Sequence, residues 1–592
     1  MRRYDVTVSQ LGDNKMVRST FFGLEIGKTG LTTAQFGLDV TGHNISNLDT
    51  DGYTRQRIVS TAYDPYSTIG RFAPVGQGLV GGGVRVQILD QIRSAYLDRR
   101  FRDEVSSNAF WDQRAQSLSY VESFFDNVNE KTSINYSLAE FFRSMKISSE
   151  DPVSGAPRTL MQTTAMDMVQ QLNMVYEGLI DFQKVENRAI ETKTNDINRM
   201  AKELAELNVA IYTFEITGMI ANDLRDKRNL MIDQLAEIID IEYEEYPDKF
   251  GHSMMRLRVA GDTLVDHDWP KSDIFGLAYV PNVLEGEERV AIPYWLNRVD
   301  NDPDSPTYFD PRAADLTLDD LRSIGMDIDS LKGGQLKSHF NMRDGLGGGV
   351  DTSNRGVPYY IEMINNLARA LVQEVNAQHI QGWSDNPEGS ETDIHFFSIL
   401  GMGGVPIDLG TIGPADADGV KSYTLTNEEL KLITARNLTL SQKVQESAYN
   451  IATSSVEIRR PANNGHPDEL QRGNNENMNA MYELFRKTGI TVFTDDPPNF
   501  VRSDIGSFDE YCTTIRFDVG NTLYTAKQSA ETSRILKHAA NNQRTAIAGV
   551  SLDEEMVGLV KYNHAYNGAA RVITQMDDAL DRLINGTGRV GL

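Results

Sequence analysis

The chain has 592 residues, of which 40% are hydrophobic, and its formal net charge at pH 7 is -26. Several domains of about 150 residues each fit within this length. The acidic balance repels the phosphates of nucleic acids and anionic lipids, and no basic cluster offsets it, which argues against nucleic-acid binding. Cys512 is the only cysteine, which excludes an intramolecular disulfide and a cysteine-based zinc site.

The N-terminal segment has no pattern of a cleaved signal peptide, because no apolar stretch follows Arg2 and Arg3. No run of about 18 apolar residues occurs anywhere in the sequence, so we expect no membrane insertion. We interpret residues 1–17 as a mobile tail or as an over-long start, with Met16 as the alternative first residue.

The first predicted element is a helix with an apolar ladder of seven-residue period. The ladder consists of Leu24, Leu31, Leu38 and Ile45, and a second set follows it by three residues, namely Gly27, Ala34, Thr41 and Leu48. Alternating steps of three and four place both sets on one side of a helix, as in a coiled-coil seam. Such a stripe is more often intramolecular packing than an oligomer interface, and the pattern alone does not separate the two.

A glycine-rich segment at residues 76–81 matches the G-x-G-x-x-G pattern of dinucleotide-binding loops. That loop functions only between a strand and a helix, because the N-terminus of the helix holds the pyrophosphate. Here Val84, Val86 and Ile88 alternate with polar residues, which indicates a strand after the glycines. We therefore predict a β-hairpin arm at residues 76–90 and no cofactor.

Long proline-free intervals indicate long helices, because a proline costs about 3 kcal/mol in a helix interior. Apolar ladders of helical period run through residues 161–182, 197–211 and 361–375, and residues 230–239 have a further helical pattern. We group residues 61–245, 332–395 and 420–544 into one elongated helical-bundle domain.

The interval between residues 246 and 331 has a different composition. Prolines and acidic loops concentrate there, together with short β-like runs at residues 255–259 and 290–295. We predict an inserted β-rich outer domain at residues 246–331 and a short loop-rich insertion at residues 396–419. His267, between two aspartates, is the nearest approach to a metal cluster, but convergent ligands are missing. No catalytic or metal site is predicted.

The C-terminal helix repeats the pattern of the N-terminal one. Its ladder consists of Leu559, Tyr566, Ile573 and Leu580, followed at three residues by Tyr562, Ala569, Met576 and Leu583. A nested chain with helical ends and a projecting middle brings both ladders to the same end. We therefore predict a mainly α fold with an inserted β-rich domain, in an elongated nested architecture whose N- and C-terminal helices pair as a coiled-coil-like stalk. Residues 18–60 and 545–592 form its terminal assembly domain.

Two short motifs adjoin these ladders. Residues 44–56 read NISNLDTDGYTRQ, with Asp51 and Gly52 as a helix stop, and residues 550–556 read VSLDEEM, in which Ser551 and Glu554 have capping-box spacing. Both motifs resemble the terminal signatures of bacterial flagellar axial proteins. The matching positions are Asn44, Asn47, Gly52, Tyr53, Thr54, Arg55, Leu552 and Glu554. The interior sequences NDLRDKR at 222–228 and VNAQH at 375–379 narrow the resemblance to the flagellar hook-associated protein 1 family (FlgK), over most of the chain.

The resemblance implies a structural protein that forms a ring between the flagellar hook and filament. It implies export through the flagellar type III apparatus, an extracellular location, hook protein below the ring, hook-associated protein 3 above it, and a cytosolic export chaperone on the C-terminal helix. It also implies terminal helices that are disordered before assembly and then pack against other copies. On this chain the implied interface is Leu24, Leu31, Leu38, Ile45, Leu559, Tyr562, Tyr566, Ile573, Met576, Leu580 and Leu583.

Two other functions stay open on the residues alone. A hook-like or rod-like axial protein, or another extracellular coiled-coil stalk, has similar terminal patterns. An enzyme carried on the insertion needs a cleft with perturbed acids, of which the sequence shows no sign.

Overall fold

The computed structural model describes most of the chain. The described ranges are residues 21–63, 81–125, 133–249, 253–267, 274–284, 286–347, 354–387, 389–401, 403–416, 419–458, 469–492 and 504–586. The predicted tail at residues 1–17 and the glycines at residues 76–80 lie outside these ranges.

Helices dominate the described structure. They are α1 Phe22–Ser46, α2 Ala95–Phe125, α3 Ile134–Glu150, α4 Gly155–Glu215, α5 Asn222–Ile238, α6 Gln335–Asp344, α7 Val357–His379, α8 Asn427–Leu432, α9 Gln442–Glu446, α10 Glu469–Arg472, α11 Glu476–Glu483, α12 Phe508–Ala548 and α13 Leu552–Asp581.

The strands are short and form separate small sheets. They are β1 Gln56–Ala62, β2 Val84–Gln91, β3 Glu242–Pro247, β4 Ser253–Val259, β5 Asp262–Asp266, β6 Phe275–Val280, β7 Val290–Trp295, β8 Trp383–Ser384, β9 Phe397–Leu400, β10 Pro406–Ile407, β11 Thr411–Ala415, β12 Lys421–Thr424, β13 Leu438–Leu440, β14 Ala452–Ser454, β15 Ile490–Thr491 and β16 Asp504–Gly506. The larger sheets have three strands each, in the orders β3-β4-β5 and β10-β9-β13.

The longest helix, α4, has 61 residues and is therefore about 90 Å long. Two apolar ladders that the sequence shows separately, at residues 161–182 and 197–211, run along this single helix. Pro157 lies in its first turn, where the missing N–H has no helical partner to lose. Residues of this helix belong to both hydrophobic cores described next.

Two hydrophobic cores lie along α4. One core joins its first half to α3, α7, the second half of α2 and the start of α12. The other joins its second half to α5, α6 and strands β3 to β7. Helices α2 and α12 run antiparallel, since Arg100 donates to Gln543 at 3.1 Å and Asn108 donates to the Ala530 carbonyl at 3.4 Å.

The predicted insertion is built into the second core. Strand β3 begins at Glu242, four residues before the predicted boundary, and Leu257 and Trp295 are buried together with side chains of α4 and α5. Strands β4 and β7 cover the predicted β-like runs at residues 255–259 and 290–295. The stretch at 396–419 also begins inside a core, because Phe396 and Phe397 are fully buried. The predicted domain boundaries stay predictions.

The hairpin of β1 and β2 connects the terminal helices to the body. The two strands pair antiparallel from Gln56 opposite Gln91 to Ala62 opposite Val84, with a bulge between Val59 and Ser60. A strand therefore follows the glycine segment, as the alternation at residues 84–88 predicts.

None of the described helices is long and apolar enough to cross a membrane. Within the described ranges, no three His, Cys, Asp or Glu side chains come together as metal ligands. His267 instead packs edge-on against Tyr212, with ring centroids 4.9 Å apart.

Candidate assembly interface at the paired terminal helices

Helices α1 and α13 pack antiparallel against each other within one chain. Gly23 lies against Met576 near one end of the pair, and Gly37 lies against Tyr562 further along. A Cβ atom at Gly37 would come within 2.5 Å of the Tyr562 ring. The faces that carry the two apolar ladders therefore lie against each other. The resemblance implies that these helices are disordered before assembly, whereas in this structure both are formed.

The centre of this contact is a line of small residues. The buried residues of α1 are Gly27, Ala34, Gly37, Thr41 and Asn44. The predicted ladder of Leu24, Leu31, Leu38 and Ile45 lies half-buried along the edge. Small residues let the two backbones approach closely, whereas a coiled coil interdigitates large side chains from both helices. Gly27, Ala34 and Thr41 belong to the second set of the predicted seam, so this half of the stripe lies in the contact and the leucine half lies at its edge. The coiled-coil packing stays a prediction.

The α13 side of the pair carries the larger side chains. Leu580 is buried, Leu559, Tyr562, Tyr566 and Ile573 are half-buried, and Met576 and Leu583 are exposed. Two of the half-buried members lie against α1 glycines: Tyr562 at Gly37, and Ile573 at Gly27, where a Cβ would meet its Cγ1 at 2.7 Å. Their assignment to contacts between copies stays a prediction.

Asn44 lies at the centre of a polar junction at the end of α1. Its amide nitrogen donates to the Gln56 carbonyl at 2.9 Å and to Glu555 Oε2 at 3.1 Å. Its amide oxygen accepts from the Gln56 N–H at 3.1 Å and from the Tyr53 hydroxyl at 2.7 Å. Because Asn44 is buried, every polar group of its side chain needs such a partner. One asparagine thus ties α1 to strand β1 and to α13.

Arg55 holds the start of α13. Its Nε donates to Glu555 Oε1 at 2.7 Å, and its guanidinium also pairs with Glu554. Glu555 is buried, so this cation compensates a charge removed from water. The predicted capping box is wrong, because the Ser551 side chain makes no cap hydrogen bond and Glu554 turns to Arg55.

The interior motif at residues 222–228 completes the junction. The Thr54 N–H donates to Asp226 Oδ2 at 2.9 Å, and Gln56 Nε2 donates to Asp223 Oδ1 at 3.0 Å. Burial raises the pKa of the Asp226 carboxyl. Burial, followed by the negative charges of Asp223, Asp226 and Glu555, also raises the pKa of the Tyr53 hydroxyl. The terminal signature and the interior motif are therefore one site.

Gly52 is required by the turn that leads into this junction. Its φ of 77° lies in the left-handed region, and a Cβ there would lie 3.0 Å from the Leu230 Cβ. Asn47 donates to the His43 carbonyl of its own helix at 3.0 Å, and Leu552 is exposed. These two signature residues lie outside the junction.

The acids that hold the junction together were not predicted from the sequence. Glu555, Asp223 and Asp226 come from segments more than 300 residues apart, and no spacing rule links them. The signal in the sequence that points to these acids is the family resemblance, which singled out both segments in which they lie.

Three family models match the chain. Residues 24–54 match the flagella basal body rod protein family, and residues 542–586 match the C-terminal family of the flagellar basal body rod FlgEFG proteins. Residues 118–397 match the helical domain of flagellar hook-associated protein FlgK. The rod families thus account for the terminal helices, and the FlgK helical domain accounts for the middle.

Curated relatives extend along nearly the whole chain. Flagellar hook-associated protein 1 of Bacillus subtilis is 24% identical, over 96% of this chain and 99% of the relative. The protein of the same name from Salmonella typhimurium is 24% identical, over 94% of this chain and 98% of the relative. The chain resembles flagellar hook-associated protein 1 along nearly its whole length. The resemblance seen in the motifs is confirmed, and with it a structural role in the flagellum, in association with hook and filament.

A solved structure from the family has a similar fold. The flagellar hook junction protein FlgK of Burkholderia pseudomallei superposes with a TM-score of 0.50 at 12% identity, over 77% of this chain and all of that chain. The mainly α fold is therefore shared at low sequence identity.

Proposed function

We propose that the chain forms the junction ring between the hook and the filament of the bacterial flagellum. The observation that carries the proposal is the polar junction, which fixes a pair of terminal helices to a body of the FlgK helical-domain type. Copies of the chain pack helically through these pairs, with hook protein below and hook-associated protein 3 above. The contacts are heterologous, so that one copy follows another around the axis.

The terminal pair has apolar surface left over for such contacts. Leu24, Leu31 and Leu38 are only half-buried by α13, and its glycine-rich seam encloses little apolar area. Burial contributes about 25 cal/mol per Å² of apolar surface, so the pair gains stability when neighbouring copies cover it. In the free chain it is the part that opens most easily.

Export precedes assembly in this proposal. The chain leaves the cell through the flagellar type III apparatus and functions outside the cell. A cytosolic chaperone binds the α13 face that includes Leu559, Tyr566 and Ile573. Because α1 covers that same face in the folded chain, chaperone and α1 exclude each other there.

The location is tested by deleting the gene in the bacterium that encodes it. We expect hooks without filaments, and filament protein released into the medium. In complemented cells, an antibody against residues 274–331 should label the hook tip. Label along the rod or the filament would contradict the proposal.

The role of the helix pair is tested by replacing Leu559 and Ile573 with aspartate. The matched control replaces the exposed Asn563 and Asn567 with aspartate in the same helix. We expect the first variant alone to abolish ring formation, while the circular-dichroism signal falls by no more than the share of α1 and α13. Loss of the whole helix signal would place these residues in the core of the body.

A further inference from the structure

An apolar groove of about 470 Å³ lies beside the terminal pair. It is lined by Phe36 and Val40 of α1, by Leu89 of β2, by Phe214 at the end of α4 and by Met219 of the turn between α4 and α5. Phe214 and Met219 are 51% and 58% exposed, although both are large apolar side chains. Exposed large apolar side chains on both sides of one groove favour a contact that covers them.

The same chain carries an apolar strip that has no place in this groove. Leu552, Met556 and Val560 follow each other at four-residue steps along one face of α13, and Met556 and Val560 are 50% and 51% exposed. At about 100° per residue, Met556 and Val560 point away from Tyr562, which faces α1. No residue of α13 lines the groove, so groove and strip do not meet within one copy.

Groove and strip lie at the same height along the helix pair. Gly37 faces Tyr562 and Thr41 faces Gly558, so the α1 wall of the groove is level with the C-terminal end of the strip. At the C-terminal end of the strip the adjacent charge is Lys561, and Asp39 and Asp223 border the groove. The acids Asp553 and Glu554 lie at the other end of the strip, where Glu554 pairs with Arg55 of its own chain.

We propose that the groove receives the strip of Leu552, Met556 and Val560 from a second copy of the chain. A patch that fits a groove elsewhere on the same molecule makes a heterologous contact, which propagates from copy to copy. Because both partners lie at one height, the contact repeats sideways around an axis, as a ring requires. The inference rests on the proposed junction ring and names the surfaces that form it.

Engineered cysteines test the contact directly. Met219→Cys places a thiol in the groove and Val560→Cys places one on the strip, while the native Cys512 is buried and burial raises its pKa to about 12. Oxidised flagella from cells with the double variant should give a ladder of linked chains. Cells that express the two single variants together should give linked dimers and nothing larger, and either single variant alone should give monomers.

Two results overturn the inference. Linked dimers from one single variant would mean a symmetric contact, and monomers from the double variant would mean that the surfaces do not meet. In either case, chains labelled at the hook tip of swimming cells would leave the proposed ring intact, whereas their absence from the tip would refute the ring as well.

A charge placed in the groove gives an independent measurement. Met219→Asp should reduce swimming on soft agar to the level of the deletion strain. Met174→Asp is the matched control, since Met174 is 54% exposed on α4 and does not line the groove. Equal swimming by the two variants would also overturn the inference.

Discussion

Replacing Asn44 with alanine should release the terminal helices from the body without unfolding it. The change leaves the Gln56 N–H and carbonyl, the Tyr53 hydroxyl and Glu555 Oε2 without a partner. At about 1 kcal/mol for each hydrogen bond, the loss is about 3 to 4 kcal/mol, which raises the opening equilibrium of the pair at least ~100-fold. The stability that is lost is that of the contact between α1, strand β1 and α13.

Hydrogen exchange measured by mass spectrometry on the purified chain checks this expectation. Peptides from α1 and α13 should exchange at least ~100-fold faster in the variant, and peptides from α4 should be unchanged. The control is Asn47→Ala in the same signature, which loses hydrogen bonds to His43 and Thr50 at the end of α1 and none to β1 or α13. Equal acceleration in α4, or equal effects of the two substitutions, would refute the reasoning. The reasoning would also be refuted if α1 of the wild-type chain already exchanged as fast as an unfolded peptide.

Three further predictions concern single side chains. Gly37→Ala should weaken the helix pair because its Cβ meets a tyrosine ring of α13, whereas Gly42→Ala, with open space around it, should stabilise α1 by up to about 1 kcal/mol in thermal melts. Arg55→Ala should cost about 3 kcal/mol in urea unfolding because it leaves a buried glutamate unpaired, whereas Arg57→Ala, which removes an exposed pair, should cost less than ~1 kcal/mol. Burial lowers the pKa of His379 to about 4, so its contribution to stability is complete above its unfolded pKa of about 6.5 and is lost as the pH falls. Between pH 7 and pH 5 this amounts to about 2 kcal/mol, which His379→Gln should remove from the difference between the free energies of unfolding measured with urea at the two pH values.

The elements were predictable where local signals dominate. The proline-free interval and the apolar ladders between residues 161 and 211 predicted helix, and α4 extends through both ladders. The alternation at residues 84–88 predicted the strand β2. These patterns reflect period and backbone constraints, which act within a few residues.

The candidate site was predictable only in part. The motifs at both termini identified Asn44 and Arg55, but the acid that these two residues share is Glu555, which is not among the signature positions. Neighbouring glutamates on a helix point in directions about 100° apart, and only the position of α1 decides which of them is buried.

The residue patterns alone predicted a helix near each end of the chain with matched apolar faces, and the motifs indicated the flagellar family. The tertiary structure decided which side of each face forms the contact. In α1 the helices approach along Gly27, Ala34 and Gly37, which leaves the leucine ladder at the edge. A heptad pattern identifies a face, but the closest approach of two backbones depends on which residues are small enough to permit it. That depends on the partner helix, which lies more than 500 residues away in the chain.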